Sequence, residues 1–246
     1  MPTTVYLIRH GATEGDDVKR YKGSIDVPLS EAGIQQMQEA ASFIRSCIET
    51  DAAGRANNYL RDIHSSEGKG VDGDSLGLDA VYTSDLQRAR KSAEVLGNAF
   101  SLDPIAMPEL RERHFGIWEG MTFNEIKEKY PAEFSAWAND PLVYSPINGE
   151  STVSVRDRSI AAIEKIAEEH SNSNVAVVAH GGVIRVALCH YLGAPLSHIF
   201  RIEQDFAAVN IIEFWELYPV VRMMNGGRKS SKSDAAFGGK GGRKGK

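Results

Sequence analysis

Two histidines and two arginines of this 246-residue chain stand at or just beyond points where an apolar run breaks off into a glycine- or serine-containing turn. The β-branched run Thr3–Ile8 ends in Arg9-His10-Gly11, and Val81-Tyr82 leads into Thr83-Ser84-Asp85-Leu86-Gln87-Arg88-Ala89. The run Val175–Ala179 ends in His180-Gly181-Gly182. Such a set suits a phosphate dianion. Guanidinium groups present paired donors that match phosphate geometry. Helix N-termini, expected at Gly11 and Gly181, would add backbone N–H groups and a favourable dipole. An imidazole, with an unperturbed pKa of about 6.5, is largely neutral near pH 7 and can take up a phosphoryl group as a covalent intermediate. A carboxylic acid must then protonate the leaving oxygen and later activate water, and the stretch Glu109–Gly116 offers Glu112 for that work.

These groups meet only if their elements share one sheet. Thr3–Ile8, Leu78–Tyr82 and Val175–Ala179 read as buried parallel strands, the last so apolar that it should be central. Ala207–Trp215 and Tyr218–Met223 read as closing strands, arranged as a hairpin. Helical spacing of Ile34, Met37, Ala41 and Ile44 predicts a helix beginning at Ser30. Further helices are expected over Asp85–Phe100, Thr122–Lys129, Pro131–Ala138, Ser151–His170 and Gly181–Leu192. Residues 51–77, with five Gly and little apolar content, read as a loop-rich insertion. Strands that alternate with helices predict an α/β fold, a three-layer α/β/α sandwich with a mostly parallel sheet. In that arrangement the three strand ends lie at one edge, where ligands bind.

Composition narrows the class. Apolar residues make up 42% and charged residues 25%, as in ordinary soluble domains. No run approaches the roughly 18 apolar residues that a membrane span needs. The start Met-Pro-Thr-Thr lacks a basic, apolar leader. Cys47 and Cys189 lie outside any CxxC pattern, which fits a reducing compartment and a cytoplasmic location. The net charge of −5 conceals an asymmetry: residues 227–246 hold seven Lys/Arg and one acid, a net +6, which leaves −11 on residues 1–226. Any contact with nucleic acid would therefore fall to the tail alone.

Six blocks, in order, resemble the histidine phosphatase superfamily, also called the phosphoglycerate mutase-like family. They are Leu7-Ile8-Arg9-His10-Gly11-Ala12-Thr13-Glu14; Lys22-Gly23-Ser24-Ile25-Asp26-Val27-Pro28-Leu29-Ser30-Glu31-Ala32-Gly33; Thr83–Ala89; Leu110-Arg111-Glu112-Arg113-His114-Phe115-Gly116-Ile117-Trp118-Glu119-Gly120; Asn148-Gly149-Glu150-Ser151; and Val178–Gly182. The resemblance implies a catalytic domain over residues 1–225; the basic, low-complexity composition of 226–246 predicts a disordered tail. It implies that His10 is the phosphorylated nucleophile, that Arg9, Arg88 and His180 form the phosphate pocket, and that Glu112 is the general acid and base. Thr13, Lys22, Gly23 and the Gly181 backbone become further substrate contacts. No metal or organic cofactor is implied; the partner is a small phosphorylated metabolite, with no membrane, and a homodimer is allowed.

Within the family, Lys19-Arg20-Tyr21-Lys22-Gly23 followed by Ile25-Asp26-Val27-Pro28-Leu29-Ser30 looks most like alpha-ribazole phosphatase-type members of cobalamin nucleotide-loop assembly. Glu112-Arg113-His114-Phe115-Gly116 looks more like a phosphoglycerate mutase, which is the enzymatic alternative. A catalytically weak phosphate-ester-binding protein is the alternative of another class. Its one support is Asp16, where the family usually has Asn: a carboxylate beside phosphate repels unless it is turned away or paired, with Lys19, Arg20 or Lys22 as candidates. Glu150 fits the N-terminus of the helix that follows it. His114 reads equally as a substrate contact or a packed side chain. Trp118, Trp137 and Trp215 read as core or pocket wall.

Overall fold

The computed structural model describes residues 2–15, 20–54 and 77–227. Its sheet has strands β1 (Thr3–Arg9), β2 (Ala80–Thr83), β3 (Ile105–Ala106), β4 (Asn174–Ala179), β5 (Val209–Phe214) and β6 (Pro219–Gly226), in the order β3-β2-β4-β1-β5-β6. The first four run parallel; β5 pairs antiparallel with β1, and β6 with β5. β4 is central, as its unbroken apolar sequence predicts, because a strand covered on both faces has no polar side to show.

The pleat sends alternate residues to two cores. Val5, Leu7, Val175 and Val177 face α5 (Thr152–Glu169) and α6 (Gly181–Tyr191). Tyr6, Ile8, Ala176 and Val178 face α1 (Glu31–Gly54) and α2 (Gln87–Phe100). These are the three layers. Each large side chain so buried contributes about 1.5–3 kcal/mol, so the strand register is strongly fixed: a one-residue slip would exchange the two faces. Two short helices, α3 (Phe123–Lys129) and α4 (Pro131–Asn139), and a 3₁₀ segment (Leu196–Arg201) lie outside this frame.

Local chemistry sets the helix starts. Ser30 Oγ accepts the Gly33 N–H, Asp26 Oδ1 the Gln87 N–H, and Ser151 Oγ the Ser154 N–H. Thr122 and Glu125 form a reciprocal capping box on α3.

Two expectations need correction. α1 continues to Gly54, so residues 51–54 are helical where a loop was expected; the rest of that insertion, 55–76, lies outside the described residues, as do Asp16, Lys19 and the tail from 228. Gly11 does not open a helix. After it the chain runs to Thr13, which bridges to Leu29, and among the described residues the next helix begins at Glu31. Among the described residues no helix is long and apolar enough to cross a membrane.

Candidate active site

Register brings the strand ends together. Arg9 pairs with Ala179 and Thr83 with Val178, so His10, Ser84 and His180 emerge side by side. Backbone bonds hold them there: His10 N–H donates to Ala179 O at 3.0 Å and Ser84 N–H to Val178 O at 3.1 Å. The His10 and His180 rings lie 5.2 Å apart, centroid to centroid.

His10 is buried, and its Nδ1 lies 2.7 Å from Gly11 O. A carbonyl oxygen only accepts, so Nδ1 carries the proton and Nε2 of the neutral ring keeps its lone pair. The turn beneath it is held closely. Gly11 N–H donates to Ser92 Oγ, Ala12 N–H to Gln36 Oε1, and Ala12 O accepts from Ser30 N–H and Ser30 Oγ. Gly33 is required here: a Cβ on it would sit 2.1 Å from Ala12 O. The Ser-Glu-Ala-Gly block thus serves to press α1 against the His10 turn.

His180 is fully buried, and its Nε2 lies 2.9 Å from Ser84 Oγ. Burial first, then the charge of Arg88, that of His10 when it is protonated, and those of Arg9 and Arg158, hold its pKa well below the ordinary value of 6.5. It is a neutral ring at neutral pH. Arg88, buried on α2, donates to Gly23 O and Ile25 O at 2.7 and 2.9 Å. Arg9 donates to Gln204 O at 2.6 Å and lies over the Phe206 ring. Gly23 itself has a φ of +49°, and a Cβ there would strike Glu119. Lys22 Nζ donates to Thr13 Oγ1 and to Glu14 O.

Glu112 joins the group through α6. Its Oε2 accepts the Gly182 N–H at 3.0 Å, next to Gly181 at the helix N-terminus, and its Oε1 accepts the Arg113 N–H. Two ion-paired residues hold this segment. Arg158 donates to Glu109 O, to Glu112 O and to both oxygens of Glu150. Burial opposes ionisation of Glu150, but Arg158 and the His114 N–H together keep its carboxyl below the usual range. Glu150 is therefore a fastener for the Glu112 segment. His114 is an outlying side chain, 3.9 Å from Glu119.

Beside Glu112 opens a cavity of about 210 Å³, walled by rings that include Phe115, Trp118, Phe134 and Trp137, with Tyr21 and Arg185 among its polar groups. Its rings brace one another: Trp118 stacks on Tyr144 and meets Trp137 edge-on, while Phe134 packs on Phe123 and Trp137. Trp118 and Trp137 are pocket wall, as their sequence allows.

The nine residues predicted from sequence thus fall in one region. Sequence reasoning did not reach Ser84, Ser92 and Gln36 as supports, the Arg158–Glu150 fastener, or Phe206. Ser92 was findable: it stands four residues after Arg88 on the same helix face. Among the described residues no group of three or more His, Cys, Asp or Glu side chains is placed to hold a metal ion.

The sequence model of the histidine phosphatase superfamily (branch 1) matches residues 5–61 and 73–226. The chain is 30% identical over 219 residues to phosphoserine phosphatase 1 of Hydrogenobacter thermophilus, covering 89% of this chain and 90% of that one. It is 24% identical to the adenosylcobalamin/alpha-ribazole phosphatase of Escherichia coli (strain K12), over 90% and 95% of the two chains. The crystal structure of the alpha-ribazole phosphatase from Shigella flexneri superposes with a TM-score of 0.72 at 24% identity, covering 94% of this chain and all of that one; at that identity the likeness speaks for the fold.

Proposed function

The chain belongs to the histidine phosphatase superfamily, branch 1, and on that premise we propose that it hydrolyses a small phosphomonoester through a phosphohistidine at His10. The observation that carries this reading is the His10 Nδ1 to Gly11 O contact of 2.7 Å, which leaves Nε2 as the nucleophile. Nε2 attacks phosphorus, and the P–O bond to the alcohol breaks. Arg9, Arg88, the Thr13 hydroxyl and the Gly181 N–H bind the non-bridging oxygens, where charge builds in the transition state. Ser84 Oγ already accepts the Leu86 N–H. Its own O–H donates a hydrogen bond to His180 Nε2, so that His180 Nδ1–H serves as a neutral donor to phosphate. Glu112 gives its proton to the leaving oxygen. It then takes one from water, which attacks phosphohistidine and releases inorganic phosphate. Lys22 acts through Thr13, which it orients.

For the substrate, alpha-ribazole 5'-phosphate, with alpha-ribazole as the released alcohol, is the best single choice. The cavity next to Glu112 offers rings to stack against a planar base and the polar groups of Tyr21 and Arg185 for a sugar. A second reading, phosphoserine, rests on 30% identity to the Hydrogenobacter thermophilus phosphoserine phosphatase 1.

Phosphate release by wild type and His10→Ala tests both levels. The panel is para-nitrophenyl phosphate, alpha-ribazole phosphate, phosphoserine, 3-phosphoglycerate and sugar phosphates, with chelator present. Release that the variant lacks, together with an acid-labile phosphoenzyme, supports the phosphatase, and the preferred ester identifies the alcohol. Transfer that needs a bisphosphoglycerate primer would replace it with the mutase. Tight phosphate-ester binding without turnover in folded protein would leave the binding-protein reading.

A further inference from the structure

Between the 3₁₀ segment and β5 the chain passes directly under the nucleophile. Gln204 O accepts from Arg9 Nη1 at 2.6 Å. The Phe206 ring lies 4.0 Å beneath the Arg9 guanidinium carbon and 5.6 Å from the His10 ring, tilted by 49°. Ala207 N–H donates to His10 O at 3.2 Å, and Arg9 N–H to Ala208 O at 3.1 Å. Four residues of the short stretch 204–208 thus make every one of these contacts to the Arg9–His10 pair.

This strap is held from behind. Gln204 and Asn210, both buried, exchange amide hydrogen bonds of 2.9 Å in each direction, and Asn210 Nδ2 also donates to Leu7 O. Asn225 N–H donates to Asn210 Oδ1, and Asp205 N–H to Asn225 Oδ1. Ala207 and Asn225 both take up left-handed backbone, with φ of 56° and 53°. Alanine holds such a conformation only where its surroundings impose it. The strap is therefore a rigid surface, and Phe206 is the side chain it presents.

We propose that Phe206 is a positioning residue for phosphoryl transfer, fixing the Arg9 guanidinium and the His10 ring in the geometry in which both meet one phosphate. The inference rests on His10 being the phosphoryl acceptor. A ring stacked on one face of a guanidinium leaves the in-plane N–H donors uncovered, so the contact orients Arg9 without competing for phosphate. With Nη1 held by Gln204 O and the plane held by Phe206, the long arginine side chain has little freedom left to lose when phosphate arrives. The same ring also packs on the imidazole, 5.6 Å centroid to centroid, so nucleophile and clamp are set by a single side chain.

The test uses Phe206→Leu, which keeps the apolar bulk and removes the π face, and Phe206→Tyr, which restores the face. Two quantities are measured: inhibition by orthovanadate, and the pre-steady-state rate of phosphoenzyme formation from para-nitrophenyl phosphate. Phe206→Leu should weaken vanadate binding about tenfold, the size of one partly desolvated cation–π contact, and slow phosphoenzyme formation by a similar factor. Phe206→Tyr should stay within about twofold of wild type in both, because its π face is retained. Thermal melting of both variants should stay near that of wild type, since Phe206 is only half-buried. If Phe206→Leu does not fold, Phe206→Met carries the same test. Unchanged vanadate affinity and phosphoenzyme rate in an active, folded Leu or Met variant overturns the inference. So does a Tyr variant that falls as far as Leu. Wild type that forms no phosphoenzyme at all would instead sink the phosphohistidine reading on which this one stands.

Discussion

At the sheet edge, His10, Ser84 and His180 follow directly on strands whose register is locked by backbone pairing. A short way off, the cavity beside Glu112 is walled in part by α3, α4 and the 3₁₀ segment Leu196–Arg201, together with residues of α5 and α6, and is braced by ring-on-ring contacts. The first region is held by hydrogen bonds that admit one geometry; the second is held by packing that admits many shapes of similar volume. A family can therefore keep one reaction at the sheet edge while the cavity beside it is refashioned for different alcohols. It follows that changes at the edge should depress turnover of every ester, and changes in the cavity should alter which ester is preferred.

The largest effect should come from His10→Ala. If His10 is the nucleophile proposed above, its loss should lower kcat by about 10⁴-fold or more on every ester, as removal of the central member of a catalytic group does. Steady-state phosphate release across an aryl, a sugar and an amino-acid phosphate checks it. A loss confined to one ester would break the division.

Glu112→Gln should sharpen it, because Glu112 borders both regions. With alkyl phosphates, whose leaving oxygen needs a proton, kcat should drop by about 10²- to 10³-fold. With para-nitrophenyl phosphate the formation of the phosphoenzyme should change far less, since that phenolate leaves unprotonated. Single-turnover rates on the two esters separate the outcomes; equal losses would mean that Glu112 acts on phosphate binding instead.

Trp137→Ala should act on preference. Removing one wall of the cavity forfeits about 1–1.5 kcal/mol of aromatic contact, so the kcat/KM ratio of alpha-ribazole phosphate to glycerol phosphate should fall about tenfold. An unchanged ratio would show that the ring-lined cavity does not hold the alcohol.

The same division explains what could be read from the sequence. His10 and His180 were legible because each follows an apolar run, and strand ends of a parallel sheet share an edge whatever the loops do. Gly33 was legible as part of a block but not in its role, since the 2.1 Å approach to Ala12 O exists only once α1 is folded against the turn. The helix expected at Gly11 failed because a glycine after a strand opens a βα unit or a plain turn with equal ease, and the bridge from Thr13 to Leu29 is a contact across sixteen residues that no local pattern announces. The cavity was illegible for a related reason. Tyr21, Phe115, Trp137 and Arg185 are far apart in the chain, and nothing in their spacing says that they face one space. Phe206 lay outside all six blocks, so only its contacts with Arg9 and His10 reveal it.

The smallest effect, and the one that probes the edge without chemistry, concerns stability in acid. His180 is fully buried with its pKa held well below 6.5, by burial above all and then by the neighbouring cations. Folded protein therefore keeps His180 neutral at a pH where the unfolded chain protonates it. Between the folded and the unfolded pKa the unfolded state binds more protons, so stability rises with pH and is fully present above about 6.5. As pH falls below that value, this one residue removes stability with a slope of up to about 1.4 kcal/mol per pH unit. His180→Asn cannot take up that proton. Its urea midpoint should fall less between pH 7 and pH 5 than that of wild type, even if the variant is weaker at pH 7. Parallel losses in the two proteins would mean that the acid sensitivity lies in other groups.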